Sequence, residues 1–188
     1  MTATPTPTSS PPAPRPQGPA GGEFLRLDNQ ICFSLNAASR AFGAVYRVLL
    51  KDLGLTYPQY LVMLVLWEHG ETPVKKLGEH LRLDSGTLSP LLKRLEAAGL
   101  VRRERSARDE RSVHVQLTDE GVALRERAMA VPRRIAAATG ASLEEIQELR
   151  TRLDHLTAAL DAAALDAGAL DAGALEETPS GDVLRSGS

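Results

Sequence analysis

TPVKKLGEHLRLDSGTLSPLLKRLEAAGLV, residues 72–101, divides into two short segments around a tight link. Val74, Leu77 and Leu81 recur at helical spacing in the first segment, and Leu88, Leu91, Leu92 and Leu95 do so in the second, where they read as core. Asp84 or Ser85 stands where a helix start belongs, because a short oxygen-bearing side chain can accept from the orphaned N–H groups of a first turn. Gly99 stands where the helix stops. VRRER and SVHVQLT follow at once, the latter alternating Val113, Val115 and Leu117 with polar residues. They predict two short strands with SARDE as an exposed tip. Two short helices followed by an arginine-bearing hairpin form a winged helix-turn-helix.

That arrangement suits B-DNA, since a helix fits the major groove and a hairpin can lay arginines along the backbone or into the minor groove. Lys93, Arg94, Arg102, Arg103, Arg105, Arg108 and Arg111 outnumber Glu96, Glu104, Asp109 and Glu110 by three within a chain of net charge −2. The basic surplus is therefore local. Charge alone would equally describe a solvated hairpin; the succession of elements is what favours DNA. Ser85, Thr87 and Ser89 stand near the start of the second helix, where backbone N–H groups and short hydroxyls can grip phosphate and base edges.

Working outward, an apolar stripe at Leu27, Ile31, Leu35, Ala38, Phe42, Val45 and Leu49 predicts a long amphipathic helix from Phe24 to near Gly54. TYPQYLVMLVLWEHG predicts a second helix, capped by Thr56 and buried on several sides. Beyond the hairpin, Thr118 caps one helix, and Ser142 with Glu145 three residues on forms a capping box for another. The expected class is mainly α with a small β-hairpin wing. Residues 1–22, with seven of the 12 prolines, read as a disordered Pro-rich arm, 23–162 as the folded domain, and 163–188 as an Ala/Asp/Gly/Leu-rich tail, partly helical or disordered. The tail's repeat LDAAA, LDAGA, LDAGA has a period of five, which matches no helical seam.

The chain has 188 residues and a single cysteine, Cys32, so no intrachain disulfide can form and a reducing cytoplasm is the simplest setting. No apolar run is long enough to span a bilayer and no secretory signal is evident, so no membrane partner is expected. His69, His80, His114 and His155 show no i, i+4 pairing, and there is no phosphate-binding glycine loop or nucleophile elbow. Neither a metal nor a cofactor is expected, and the histidines read as surface or packing residues.

From about Leu27 to Leu160 the sequence resembles the MarR-type winged-helix regulators, and RSARDERSVHVQLTDEG matches their wing. The resemblance implies that Asp109 braces the wing and Arg111 reads the minor groove, with Arg108 a weaker candidate. It places Ser85, Thr87, Ser89, Lys93 and Arg94 on the recognition helix. It also implies a homodimer joined through its first and last helices, which agrees with their apolar faces. Such a dimer would read an inverted-repeat operator in double-stranded DNA with half-sites one helical turn apart.

LDNQICFSLNAASR, LTYPQYLVMLVLWE and VKKLGEHLRLDSGTLSPLLKRLE narrow the resemblance to the organic-hydroperoxide-sensing (OhrR) subfamily. There the cysteine of the first helix is the peroxide sensor, hydrogen-bonded by tyrosines, which implicates Cys32, Tyr46 and Tyr57. Some relatives carry a further tyrosine four residues after the cysteine, where this chain has Asn36. With no second cysteine, the chain is similar to the one-cysteine branch, in which a low-molecular-weight thiol caps the oxidised sulfur or over-oxidation inactivates it. Tyr46 lies fourteen residues beyond Cys32 on one predicted helix, roughly 21 Å away. The pair must therefore meet across a dimer interface. The expected function is a repressor released from DNA when an organic hydroperoxide oxidises Cys32. Two alternatives carry different chemistry: a regulator answering a small aromatic ligand with Cys32 incidental, and a one-cysteine peroxidase, for which no motif speaks.

Overall fold

The computed structural model describes residues 22–105 and 112–176, with side chains through Asp166. Arg108, Asp109 and Arg111, residues 1–21 of the arm and residues 177–188 of the tail lie outside the described residues.

The first long helix, α1, spans Ile31–Leu49, starting later than its apolar stripe suggests. Two 3-10 turns, Gly22–Leu25 and Leu27–Asn29, precede it. Asn29 and Gln30 turn their amides back onto the carbonyls of Glu23 (2.8 Å) and Arg26 (3.2 Å), which holds these residues in tight turns outside the helix. Helix α2 spans Tyr57–His69. The Thr56 backbone N–H and hydroxyl both donate to Gln59 Oε1 at 2.9 Å, and Tyr60, Val62, Met63, Val65 and Leu66 are buried, so this helix packs on more than one side.

Strand β1 (Thr72–Pro73) leads into α3 (Val74–Leu81) and α4 (Ser85–Ala97). Strands β2 (Val101–Arg105) and β3 (Val113–Leu117) follow as the wing. The antiparallel sheet has the order β1-β3-β2, with Arg103 opposite Val115 and Thr72 also opposite Val115. The sequence predicts two strands; β1 is the addition. It has two residues, and Pro73 lacks an N–H to donate, so it exists only as an edge laid on β3.

Helices α5 (Asp119–Ala128), α6 (Ala130–Thr139) and α7 (Leu143–Glu176) complete the chain. Thr118 caps α5 by accepting from the Gly121 N–H (3.0 Å), while its hydroxyl donates to Gly99 O (2.6 Å). Ser142 and Glu145 form the predicted reciprocal capping box on α7: Ser142 N–H to Glu145 Oε2 at 2.7 Å, Glu145 N–H to Ser142 Oγ at 3.2 Å. Helix α6 is absent from the sequence reading.

The apolar core lies in the winged-helix half of the molecule. Leu77, Leu88, Leu92 and Leu95 are essentially inaccessible, as are Leu50, Met63, Leu66, Val101 and Val115. Each such side chain contributes roughly 1.5–3 kcal/mol of burial. Leu91, read as core in the sequence, is only partly buried. Gly121 is where α5 crosses the α4–β2 link: a Cβ there would sit 2.1 Å from Leu100 O. The terminal helices differ sharply from this core. No residue of α1 is buried, and Ile31, Phe33, Phe42 and Val48 are exposed, as are Leu143, Leu149, Leu160 and Leu165 on α7. Two long helices thus leave large apolar side chains exposed along their faces.

Candidate nucleic-acid interface and redox site

The candidate DNA-binding half is built from the turn between α3 and α4. Asp84 caps α4: Thr87 N–H donates to Oδ1 and Thr87 Oγ1 to Oδ2, each at 2.9 Å. These bonds to Thr87 hold the Asp84 carboxyl below the ordinary carboxylate range. The Thr87 hydroxyl thereby gives its one proton to the cap and can meet a further partner only as an acceptor. Ser85, Ser89, Lys93 and Arg94 are exposed along α4, while Leu88, Leu92 and Leu95 point inward, so the helix presents a polar face outward from a fixed apolar one.

The wing is tied to α4. Arg103 Nη2 meets Glu96 Oε2 at 2.6 Å, its Nε lies 3.0 Å from the same oxygen, and its backbone N–H donates to Glu96 Oε1 at 3.2 Å. The Arg103 bonds hold the Glu96 carboxyl low. Arg102 Nη2 donates to Gln116 Oε1 across the hairpin at 2.9 Å. At the wing base, His114 Nδ1 and Glu71 Oε1 are 2.8 Å apart. Between α3, α4 and the wing lies a cleft of about 750 Å³, bordered by Lys75, Arg82, Ser85, Ser89 and Arg103 among others. Three basic side chains, Lys75, Arg82 and Arg103, thus stand around one opening beside α4. Sequence reasoning missed Arg82 and the Glu96–Arg103 clasp, since neither a left-handed turn residue nor a pair seven positions apart has a local signature.

The candidate redox residues fall into two groups. Cys32 is exposed, the second residue of α1, where backbone N–H groups lack intrahelical acceptors. Tyr46 and Tyr57 are brought together, with ring centroids 4.4 Å apart, and Tyr60 joins them at 6.0 Å from Tyr46. Burial, with smaller contributions from Tyr57 and Tyr60, pushes the Tyr46 phenol up to about 12, so it remains a protonated donor at neutral pH. Helix α1 runs unbroken from Ile31 to Leu49, which sets Cys32 roughly 21 Å from Tyr46 of the same chain. The structure therefore does not join Cys32 to either tyrosine within one chain. Asn36, Ser39 and Gly43 lie between them on one stripe of α1, and a Cβ added at Gly43 would meet nothing within 4 Å.

Among the described residues, no group of three or more His, Cys, Asp or Glu is placed to hold a metal ion, and no helix is long and apolar enough to cross a membrane. His69 and His80 stack at 4.7 Å, in keeping with packing roles.

A three-stranded winged helix-turn-helix flanked by long terminal helices defines a DNA-binding transcriptional regulator. Residues 44–127 match the family described as transcriptional regulator SarA/Rot. The organic hydroperoxide resistance transcriptional regulator of Bacillus subtilis is 47% identical over 138 residues, 73% of this chain and 94% of that protein. The HTH-type transcriptional regulator TtmR of Methylorubrum extorquens is 51% identical over 135 residues, covering 72% and 68%. Reduced AbfR bound to DNA superimposes with a TM-score of 0.58 at 41% identity, covering 71% of this chain and 96% of that one. Overoxidised AbfR, also bound to DNA, gives 0.58 at 43% identity, covering 71% and 97%. The chain belongs to the MarR family of winged-helix regulators, in its organic-hydroperoxide-sensing, one-cysteine subfamily. It is a transcriptional regulator and not an enzyme.

Proposed function

We propose that the chain is a homodimeric repressor that binds an inverted-repeat operator and leaves it when an organic hydroperoxide oxidises Cys32. The observation that carries this reading is the separation on α1: an exposed thiol at one end, a tyrosine pair at the other, and an uncovered small-residue stripe between them. An antiparallel crossing of two α1 helices along that stripe would bring Cys32 of one protomer to Tyr46 and Tyr57 of its partner, with Asn36 nearby.

The chemistry is a two-step oxidation. The Cys32 thiolate attacks the terminal peroxide oxygen, the O–O bond breaks, and the alkoxide leaves as an alcohol on taking a proton. A low-molecular-weight thiol then displaces water from the sulfenic acid to give a mixed disulfide. Added bulk within the interface would change the angle between the winged lobes and spoil half-site spacing. DNA contact would come from Ser85, Thr87, Ser89, Lys93 and Arg94 on α4, and from Arg108 and Arg111 in the wing, braced by Asp109.

A band-shift on the promoter region beside the gene tests the proposal, with wild type and Cys32→Ser before and after cumene hydroperoxide plus thiol. Release of wild type and retention of the serine variant is expected. Undiminished operator affinity with Cys32 shown modified by mass spectrometry would refute it. A second reading is favoured by an apolar cleft of about 480 Å³ between α1, α6 and α7, lined by Phe42, Val45, Ile135 and Leu149 among others. It would suit a small aromatic effector, and under it Cys32→Ser would remain inducible by such a ligand.

A further inference from the structure

Arg82 is the one non-glycine residue with positive φ among the described residues, at φ 53° and ψ 41° in the turn between α3 and α4. Glycine would occupy that conformation without strain, but would bring no side chain to the turn. The Arg82 guanidinium borders the same cleft as Ser85, Ser89 and Arg103. It is held from outside the winged helix: Nη2 donates to Asp161 Oδ2 of α7 at 2.8 Å, with both side chains well exposed. The Asp161 hydrogen bond and charge raise the Arg82 pKa, and Asp154, two helical turns earlier on α7, adds to the effect.

We propose that Arg82 is an additional DNA-backbone contact restrained by the Asp161 carboxylate of α7, so that α7 lowers the DNA affinity of the winged helix when it lies against the turn. This rests on the DNA-binding reading above. A carboxylate and a phosphate make the same demand on a guanidinium, two acceptor oxygens in a plane, and one Arg82 cannot satisfy both. As DNA approaches the α3–α4 turn, its phosphates compete for Arg82 and repel Asp154 and Asp161. Docking of α7 and binding of DNA are thus linked, and the coupling is reciprocal. Exposed ion pairs are weak individually, which suits a restraint that phosphate can displace.

The test uses the reduced full-length protein and a random-sequence duplex of about 20 base pairs, with affinity followed by anisotropy across a salt series. Losing one phosphate contact per subunit should make the salt slope of an Arg82→Gln dimer shallower by about 1.8. Arg82→Lys should keep most of that slope. Asp161→Asn should tighten binding by roughly threefold per subunit at low salt. Asp161→Asn placed on Arg82→Gln should tighten binding no more than Asp166→Asn does, because only the direct repulsion of phosphate is then relieved. Asp166→Asn removes an equal charge from an exposed site on α7 and should have a smaller effect than Asp161→Asn. The inference is overturned by a wild-type slope in Arg82→Gln, by equal effects of Asp161→Asn and Asp166→Asn, or by full tightening in the double variant. Loss of binding in Lys93→Gln/Arg94→Gln alongside an unchanged Arg82→Gln would sink this inference alone. Absence of binding by wild type would sink the DNA reading with it. Thermal unfolding by circular dichroism confirms that each variant is folded.

Discussion

The rings of Tyr46 and Tyr57 lie 4.4 Å apart, tilted by 35°, at the opposite end of α1 from Cys32. If the tyrosines restrain the thiol of the other protomer, complementation between subunits follows. A heterodimer of one Cys32→Ser chain and one Tyr46→Phe chain retains one intact site when the contact crosses the interface, and none when it lies within a chain. We expect that heterodimer to show one fast-reacting thiol. In the Tyr46→Phe homodimer the loss of a hydrogen bond to a charged group, about 1.5–3 kcal/mol, should slow oxidation roughly tenfold to a hundredfold. Stopped-flow measurement of thiol loss distinguishes the two cases.

Tyr46 should also set an alkaline limit. Its folded value of about 12 exceeds the ordinary phenol value near 10, so the native state holds a proton that the unfolded chain releases. The folded protein then binds more protons in that window, and stability falls as pH rises from about 10 to about 12. Tyr46→Phe should flatten that decline in denaturant melts, and should remove the latest phenolate absorbance to appear on titration.

Asp84 gives the opposite sign. Its carboxyl is held low by bonds accepted from Thr87, so its contribution is complete above the ordinary value of about 3.9 and fades as pH falls through the lowered native one. Asp84→Ala should lower the stability of the fold through loss of the α4 cap. It should also erase this part of the acid sensitivity, and chemical denaturation at pH 7 and pH 3 measures both.

Two glycines should respond in contrasting ways. Gly121→Ala forces a Cβ to 2.1 Å from Leu100 O, a backbone atom that cannot move aside. A loss of about 3 kcal/mol is expected. A Cβ at Gly43 meets nothing within 4 Å in the single chain, so the fold should survive Gly43→Leu. The dimer should weaken if this stripe is the crossing point, and sedimentation equilibrium would show it. A Gly43→Leu dimer as tight as wild type would move the crossing elsewhere.

Local chemistry made the winged helix legible. Asp84, Gly99, Thr118, Ser142 and Glu145 each signal an end of a helix through their own backbone bonding, and all lie at such ends in the structure. Features set by contact between distant segments left no such trace. Strand β1 is defined by its pairing with β3, and Arg82 by its reach to α7. Helix α6 carries no cap signal of its own, and its Pro132 falls in the first turn, where a missing N–H costs little. Met129 is itself helical, at φ −58° and ψ −26°, so α5 passes into α6 with no punctuating residue. The 4.4 Å contact of Tyr46 with Tyr57 likewise comes from the packing of α1 on α2, which no local pattern announces.

Trp67 is the chain's one tryptophan, and its indole N–H donates to Gly121 O at 2.9 Å. Tyr60 meets its ring edge-on at 6.3 Å, and Tyr60 in turn neighbours Tyr46. A row of aromatic rings thus connects the first helix to the opening turn of α5. The molecule carries its own fluorophore, within energy-transfer range of the tyrosines and anchored beside the wing's exit. Any rearrangement between those two places should alter its emission, so the response to DNA or to peroxide can be followed optically without attaching a dye.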